Sequence, residues 1–128
     1  MSEQSGPTAK RILIVDDDED MRKTLQLILT RQGYEIVQAA SGREALERAS
    51  QETFDIGLLD IRLPDRDGTE LLKPLKERCP NMDLIIATGY ASLRSAVRAL
   101  HDGASAYVTK PLNVDEVLAK VRNLLERQ

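Results

Sequence analysis

The sequence predicts one α/β domain: a doubly wound, five-stranded parallel sheet covered by five helices. Three observations carry that expectation. Five short apolar runs alternate with five stretches of helical periodicity along 128 residues. Such alternation implies parallel strands, because each right-handed crossover brings a helix back over the sheet and both faces become covered. The runs are also continuous rather than alternating, as in Ile12-Leu-Ile-Val15 and Leu84-Ile-Ile-Ala87, which is the pattern of strands buried on both sides. Finally, four of the runs end on chemically capable groups: Asp16-Asp17, Asp60, Thr88-Gly89 and Lys110. In an open parallel sheet the carboxyl ends of the strands share one edge, where ligands bind at the topological switch point.

Taken in order, residues 1–10 are polar, contain Gly6-Pro7 and are expected to be a flexible tail ahead of a domain over 11–128. Residues 11–15 form the first strand. Residues 18–32 carry Met21, Leu25, Ile28 and Leu29 at helical spacing, with Gly33 as the stop. A second strand covers 35–39. Ser41-Gly-Arg-Glu44 is a capping box that opens a helix with Ala45, Leu46 and Ala49 on its apolar side. The third strand, 54–60, contains Gly57, which packs no side chain and is expected to weaken it. Asp67-Gly-Thr-Glu70 repeats the capping pattern before Leu71, Leu72 and Leu75. Pro74 falls inside that helix, so a kink or early break is expected there. A fourth strand over 83–87 leads to a helix over 92–102 that carries Leu93, Ala96, Val97 and Leu100 and ends at Gly103. The fifth strand is 106–108. Asn113-Val-Asp-Glu116 then caps a last helix whose stripe is Val114, Val117, Leu118, Val121, Leu124 and Leu125.

Composition removes several functional classes. With 18 basic and 21 acidic residues the net charge is −3, so no broad cationic field favours nucleic acid. Aromatic residues make up 3% and Trp is absent, which argues against a base-stacking surface. The single Cys79 excludes an internal disulfide and fits a reducing, cytoplasmic compartment. No apolar run approaches the roughly 20 residues of a membrane span.

The strand ends suggest a reaction. Asp16, Asp17 and Asp60 would crowd together and repel, and a divalent cation relieves such crowding. An all-oxygen ligand set favours Mg²⁺, with Mn²⁺ as the alternative, over zinc. Lys110 supplies a compact positive charge, the Thr88 hydroxyl can donate to an oxyanion, and Gly89 leaves room for one to approach. Together these groups suit phosphoryl transfer to a carboxylate, giving an aspartyl phosphate.

At these residues the sequence resembles the response-regulator receiver domain of two-component signalling, over about residues 11–127. The resemblance implies a flavodoxin-like strand order, 2-1-3-4-5. It implies that Asp60 is the phosphoacceptor and that Asp16 and Asp17, with Asp60 and the Arg62 backbone carbonyl, hold Mg²⁺. Thr88 would be the switch hydroxyl, Lys110 the phosphoryl-binding lysine, Tyr107 the rotating aromatic and Lys110-Pro111 a cis bond. Arg62 and Tyr90, each two residues beyond Asp60 and Thr88, would tune how fast the phosphoryl group is lost. The donor would be a sensor histidine kinase or a histidine phosphotransfer protein. The response would pass through the face of the fourth helix, fifth strand and fifth helix to a target protein or an output domain not in this chain. No direct nucleic-acid or membrane contact is implied, and the chain would be a monomer or a phosphorylation-dependent dimer. The module would not be a conventional enzyme, although it would assist its own phosphorylation and dephosphorylation. The short Thr88-Gly-Tyr-Ala-Ser92 run is similar to receivers that control enhancer-dependent transcription ATPases.

Other readings stand beside this one. Leu63 replaces the usual Met, and Gly57 and Pro74 are unusual for the family, which leaves room for a pseudo-receiver that binds without being phosphorylated. Val15-Asp16-Asp17-Asp18 superficially meets the Asp-x-Asp pattern of haloacid-dehalogenase phosphatases. Asp18, Glu19 and Asp20 read more simply as an acidic helix start favoured by the macrodipole. Tyr107 also reads as a half-buried core residue that never switches. His101 and Cys79 are expected to be inert, and Arg94 and Arg98 to lie on a solvated helix face.

Overall fold

A computed structural model describes residues 9–89, 98 and 100–128. Residues 1–8 of the tail expected over 1–10, the flank Tyr90, and Arg94 lie outside the described residues. So does most of the helix expected over 92–102, of which Arg98, Leu100 and His101 are helical. The described elements run β1 (Arg11–Val15), α1 (Glu19–Arg31), β2 (Glu35–Ala39), α2 (Gly42–Gln51) and β3 (Ile56–Asp60). A 3₁₀ turn (Gly68–Leu71), α3 (Leu72–Arg78), β4 (Asp83–Thr88), β5 (Ala106–Thr109) and α4 (Val114–Arg127) follow. Four α-helices are therefore described where five are expected from the sequence.

All strands are parallel, in the order β2-β1-β3-β4-β5. The sheet separates two cores. Leu13, Val15, Leu59, Leu84 and Ile86 face α2 and α3, which contribute Ala45, Ala49, Leu72 and Leu75. Ile12, Ile14, Leu58, Ile85 and Val108 face α1 and α4, which contribute Leu25, Leu29, Val117, Val121 and Leu124. Neighbouring residues on one strand thus feed opposite cores, which is why the central strands are apolar at every position. Truncating any of these fully buried leucines to alanine is expected to cost about 2–5 kcal/mol.

Local chemistry sets the helix starts. The Asp18 carboxylate accepts from Asp20 N and Met21 N at 3.0 and 3.2 Å, so it caps α1. Ser41 Oγ accepts from Glu44 N at 3.2 Å, while the Glu44 side chain reaches back to Ala40 N at 2.7 Å. Gly33 ends α1 at φ +93°, a conformation that costs other residues more.

Two expectations need correction. Gly57 does not loosen an edge: β3 is the central strand and Gly57 is buried. A Cβ there would come within 2.8 Å of Leu84 Cδ2 and 3.4 Å of Met82 Sδ, so the missing side chain is the space those residues fill. Nor does Pro74 kink a helix. The chain turns first as a 3₁₀ segment and becomes α-helical only at Leu72, which places Pro74 in the first α-turn, where backbone donors have no helical partner.

The amino ends of the strands are tied by Arg11. Its guanidinium pairs with Glu35 at 2.6 Å and with Glu52, donates to Thr53 O at 3.0 Å and lies 5.0 Å from the Phe54 ring centroid. Gln128 Nε2 donates to Asp83 Oδ2 at 2.8 Å at the same end. This end holds structure together and leaves the carboxyl edge to the site.

Candidate functional site

At the carboxyl edge, β1 ends in Asp16, which is only 4% exposed, and β3 ends in Asp60, which is 8% exposed. Asp16 is fixed from several sides. Its Oδ1 accepts from Asp18 N at 2.9 Å, its amide donates to Ala39 O at 3.1 Å, and its carbonyl accepts from Arg22 Nη1 at 2.7 Å. Asp17 projects outward and is exposed. Carboxylate oxygens of Asp16, Asp17 and Asp60 nevertheless all lie within 4.8 Å of one another.

Lys110 enters from the end of β5. Its amide donates to Thr88 O at 2.8 Å, which anchors the residue to β4. Its ammonium stands 3.0 Å from Asp16 Oδ2 and 3.4 Å from Asp60 Oδ2, bridging the two buried acids. The Lys110-Pro111 peptide is cis, as expected. Burial disfavours the ammonium, but the hydrogen bonds and charges of Asp16 and Asp60 outweigh it, so the Lys110 pKa is raised and the side chain stays charged. The Asp60 pKa is also raised. Burial is the main cause and the Asp16 charge adds to it, while Lys110 and the Arg62 amide, 3.3 Å from Asp60 Oδ1, oppose it.

That raised value has a sign that can be tested. An acid whose pKa is higher folded than unfolded binds its proton more tightly when folded, so stability is lost as pH rises past the ordinary carboxylate range. Without metal at neutral pH, Asp60→Asn removes this burden. It is expected to raise Tm. The gap should close below the ordinary value of 3.8. Thermal melts in chelator across pH check it, and a destabilised Asp60→Asn at neutral pH would contradict it.

Thr88 is 1% exposed at the end of β4. Gly89 is exposed, and among the described residues a Cβ there would meet nothing within 4 Å. Tyr107 is half-buried against the α2–α3 core, paired in register with Ile86. Leu63 packs against the same core. Arg62 is exposed and forms a bridge with Asp67 across the loop that follows β3. His101 is exposed and Cys79 is buried.

Sequence reading missed three residues that hold the site. Arg22 grips the Asp16 carbonyl and also bonds Gln38 Oε1 at 3.0 Å; no local pattern marks it, because the contact crosses from α1 to the sheet edge. Gly68 donates to Ile61 O at 2.6 Å, and a Cβ on it would run into the Asp60 carbonyl oxygen. Asp65 bonds the amino end of α2. The capping pattern Asp67-Gly-Thr-Glu70 is visible in the sequence, but nothing in it shows that Gly68 lies against Asp60.

Asp16, Asp17 and Asp60 thus gather at the carboxyl edge of a 2-1-3-4-5 parallel sheet, with the Lys110 ammonium bridging Asp16 and Asp60. Residues 12–122 match the family model for the response regulator receiver domain, and the chain belongs to that family. Over 114 residues it is 40% identical to the transcriptional regulatory protein ZraR of Escherichia coli K12, covering 89% of this chain and 26% of that protein. The chain thus spans about a quarter of the length of that relative. Among solved structures it resembles a CheY-like receiver domain protein from Methanospirillum hungatei JF-1, with a TM-score of 0.89, 43% identity and coverage of 94% and 96% of the two chains. It also resembles a response regulator protein from Burkholderia pseudomallei that carries a phosphorylated aspartic acid and a calcium ion. There the TM-score is 0.82 and the identity 40%, covering 86% of this chain and 65% of the other. Among the described residues no helix is long and apolar enough to cross a membrane.

Proposed function

We propose that the domain, over residues 11–128, is a cytoplasmic switch driven by phosphorylation of Asp60. The observation that carries this reading is the Lys110 ammonium bridging Asp16 and Asp60 beside Asp17. A sensor histidine kinase or histidine phosphotransfer protein presents a phosphohistidine. The Asp60 carboxylate attacks phosphorus, the bond to the imidazole nitrogen breaks, and the imidazole leaves with the electron pair. Lys110 neutralises charge on the transferring group, and Arg22 and the Asp18 amide hold Asp16 in place. The all-oxygen cluster of Asp16, Asp17 and Asp60 fits Mg²⁺; these acids and the Arg62 carbonyl would hold the ion, which would supply further neutralisation of the phosphoryl oxygens.

Once Asp60 carries the group, Thr88 donates to its oxygens and Tyr107 moves into the space vacated. The surface of residues 92–102, β5 and α4 changes with them. That surface acts on a target protein or an attached output domain, as a monomer or a phosphorylation-dependent dimer, without touching nucleic acid itself. Water later releases the phosphoryl group, at a rate set by the flanks Arg62 and Tyr90. The phosphatase reading loses support because Asp18, the second acid of its motif, is committed to capping α1. The pseudo-receiver reading loses support because the acids, Thr88 and Lys110 are all present and the acids and Lys110 are assembled.

Beryllofluoride, which mimics a phosphoryl group on a carboxylate, tests the switch. With Mg²⁺ it is expected to shift the amide resonances of Thr88, Tyr107 and α4 in wild type and to leave Asp60→Asn unchanged. Shifts confined to the immediate neighbours of Asp60 would contradict the coupling to Tyr107 and α4.

A further inference from the structure

We propose that Asp65 is a positioning residue for the acidic site, acting by clamping the loop after β3 onto the amino end of α2. The inference rests on the reading of Asp16, Asp17 and Asp60 as a Mg²⁺-dependent phosphoryl site. The loop begins at Asp60 and returns on itself: Gly68 N donates to Ile61 O at 2.6 Å, Leu63 N to Arg66 O at 3.3 Å, and Arg62 bridges Asp67. Asp65 stands at its far end. One carboxylate oxygen accepts from Gly42 N and the other from Arg43 N, each at 2.9 Å.

Those amides are the first two of α2, and they have no partner within the helix. Ser41 Oγ takes the amide of Glu44, so α2 is capped twice, once by its own chain and once by the loop. The Asp65 bonds are charge-assisted and lie where the helix dipole favours an anion. The same bonds hold the Asp65 carboxyl below its ordinary pKa, Gly42 N having the largest effect. Arg66 completes the clamp. Its side chain lies so close over Gly42 that a Cβ there would come within 2.6 Å of Arg66 Cδ and Nε. Among the described residues the buried Arg66 Nε has no hydrogen-bond partner, a cost the packing accepts.

α2 is a firm anchor because Ala45 and Ala49 are buried in the core. Without Asp65, the loop loses its hydrogen bonds to α2 and keeps the packing of Leu63 and Arg66, which resists sliding less than the paired bonds do, so it can shift about its base at Gly68. A pivot would displace the Arg62 carbonyl and lengthen the 3.3 Å bond from Arg62 N that orients Asp60 Oδ1. Groups that orient metal ligands from behind commonly change affinity about 10- to 100-fold when lost.

Titration calorimetry with Mg²⁺ tests this, on wild type, Asp65→Ala, Asp65→Asn and Ser41→Ala, each checked for folding by circular dichroism. Asp65→Ala is expected to raise the Kd for Mg²⁺ about tenfold, and Asp65→Asn, which keeps an acceptor oxygen, by less. Labelling by acetyl phosphate should show a raised half-saturating Mg²⁺ concentration with the plateau rate retained. Ser41→Ala removes the other cap of α2 without touching the loop, so it should lower Tm and leave the Kd unchanged. A wild-type Kd in both Asp65 variants, or an equal rise in Ser41→Ala, would overturn the proposal. A wild type that binds no Mg²⁺ would overturn the reading of the acidic site itself, and the role of Asp65 with it.

Discussion

Lys110→Ala is expected to slow phosphoryl transfer to Asp60 about 10²- to 10³-fold, the loss that follows removal of one preorganised group facing developing charge. The same change leaves Asp16 and Asp60 facing each other, both less than a tenth exposed, with no cation between them. Metal-free stability should therefore fall by about 1–3 kcal/mol, less than for a fully buried pair because Lys110 is partly exposed. Added Mg²⁺ should restore part of that stability, since it takes up the role of neutralising the acids. Lys110→Arg keeps the charge but replaces a compact ammonium with a planar fork, and should recover only part of the rate. Melts with and without Mg²⁺, together with labelling rates, check both effects. A variant that labels at the wild-type rate would remove Lys110 from the chemistry.

Gly68→Ala is expected to be the most damaging single methyl that can be added near the site. The new Cβ would overlap the Asp60 carbonyl oxygen and lie 3.0 Å from the Asp60 carbonyl carbon and Ile61 Cα. All three are backbone atoms, so no side-chain rotation relieves the clash, and the loop must move away from β3. Overpacking usually costs about 1–3 kcal/mol, and a clash confined to backbone belongs at or above the upper end. Because the displaced backbone is that of Asp60, labelling should fall by more than the loss of stability explains. Gly89→Ala is the comparison: that Cβ meets no atom of the described residues within 4 Å, so it should fold with nearly wild-type stability. Equal stability of Gly68→Ala and Gly89→Ala in denaturant titrations would contradict this account.

Much of this architecture was legible in the sequence. The continuous runs Ile12–Val15 and Leu84–Ala87 announce strands buried on both faces, and the cap signals at Ser41 and Asn113 mark helix starts that the structure keeps. Placing acids and a lysine at the ends of parallel strands was enough to bring Asp16, Asp60 and Lys110 together. Strand order was not legible from periodicity and came from family resemblance. Gly57 and Pro74 were misread for a common reason: a local rule was applied without knowing the neighbours. Glycine weakens a strand unless a neighbour such as Leu84 fills its space, and proline breaks a helix unless it falls in the first turn. The supports of the site were hidden for a related reason. Arg22, Asp65 and Gly68 act through contacts between elements, and no spacing within one element encodes them.

The most direct test of the central claim is intact mass after incubation with acetyl phosphate, with and without Mg²⁺, on wild type and Asp60→Asn. One phosphoryl adduct is expected on wild type, dependent on Mg²⁺ and absent from Asp60→Asn. A folded wild type that binds Mg²⁺ yet gains no adduct from either acetyl phosphate or a phosphohistidine protein, or an Asp60→Asn variant labelled to the wild-type level, would contradict it.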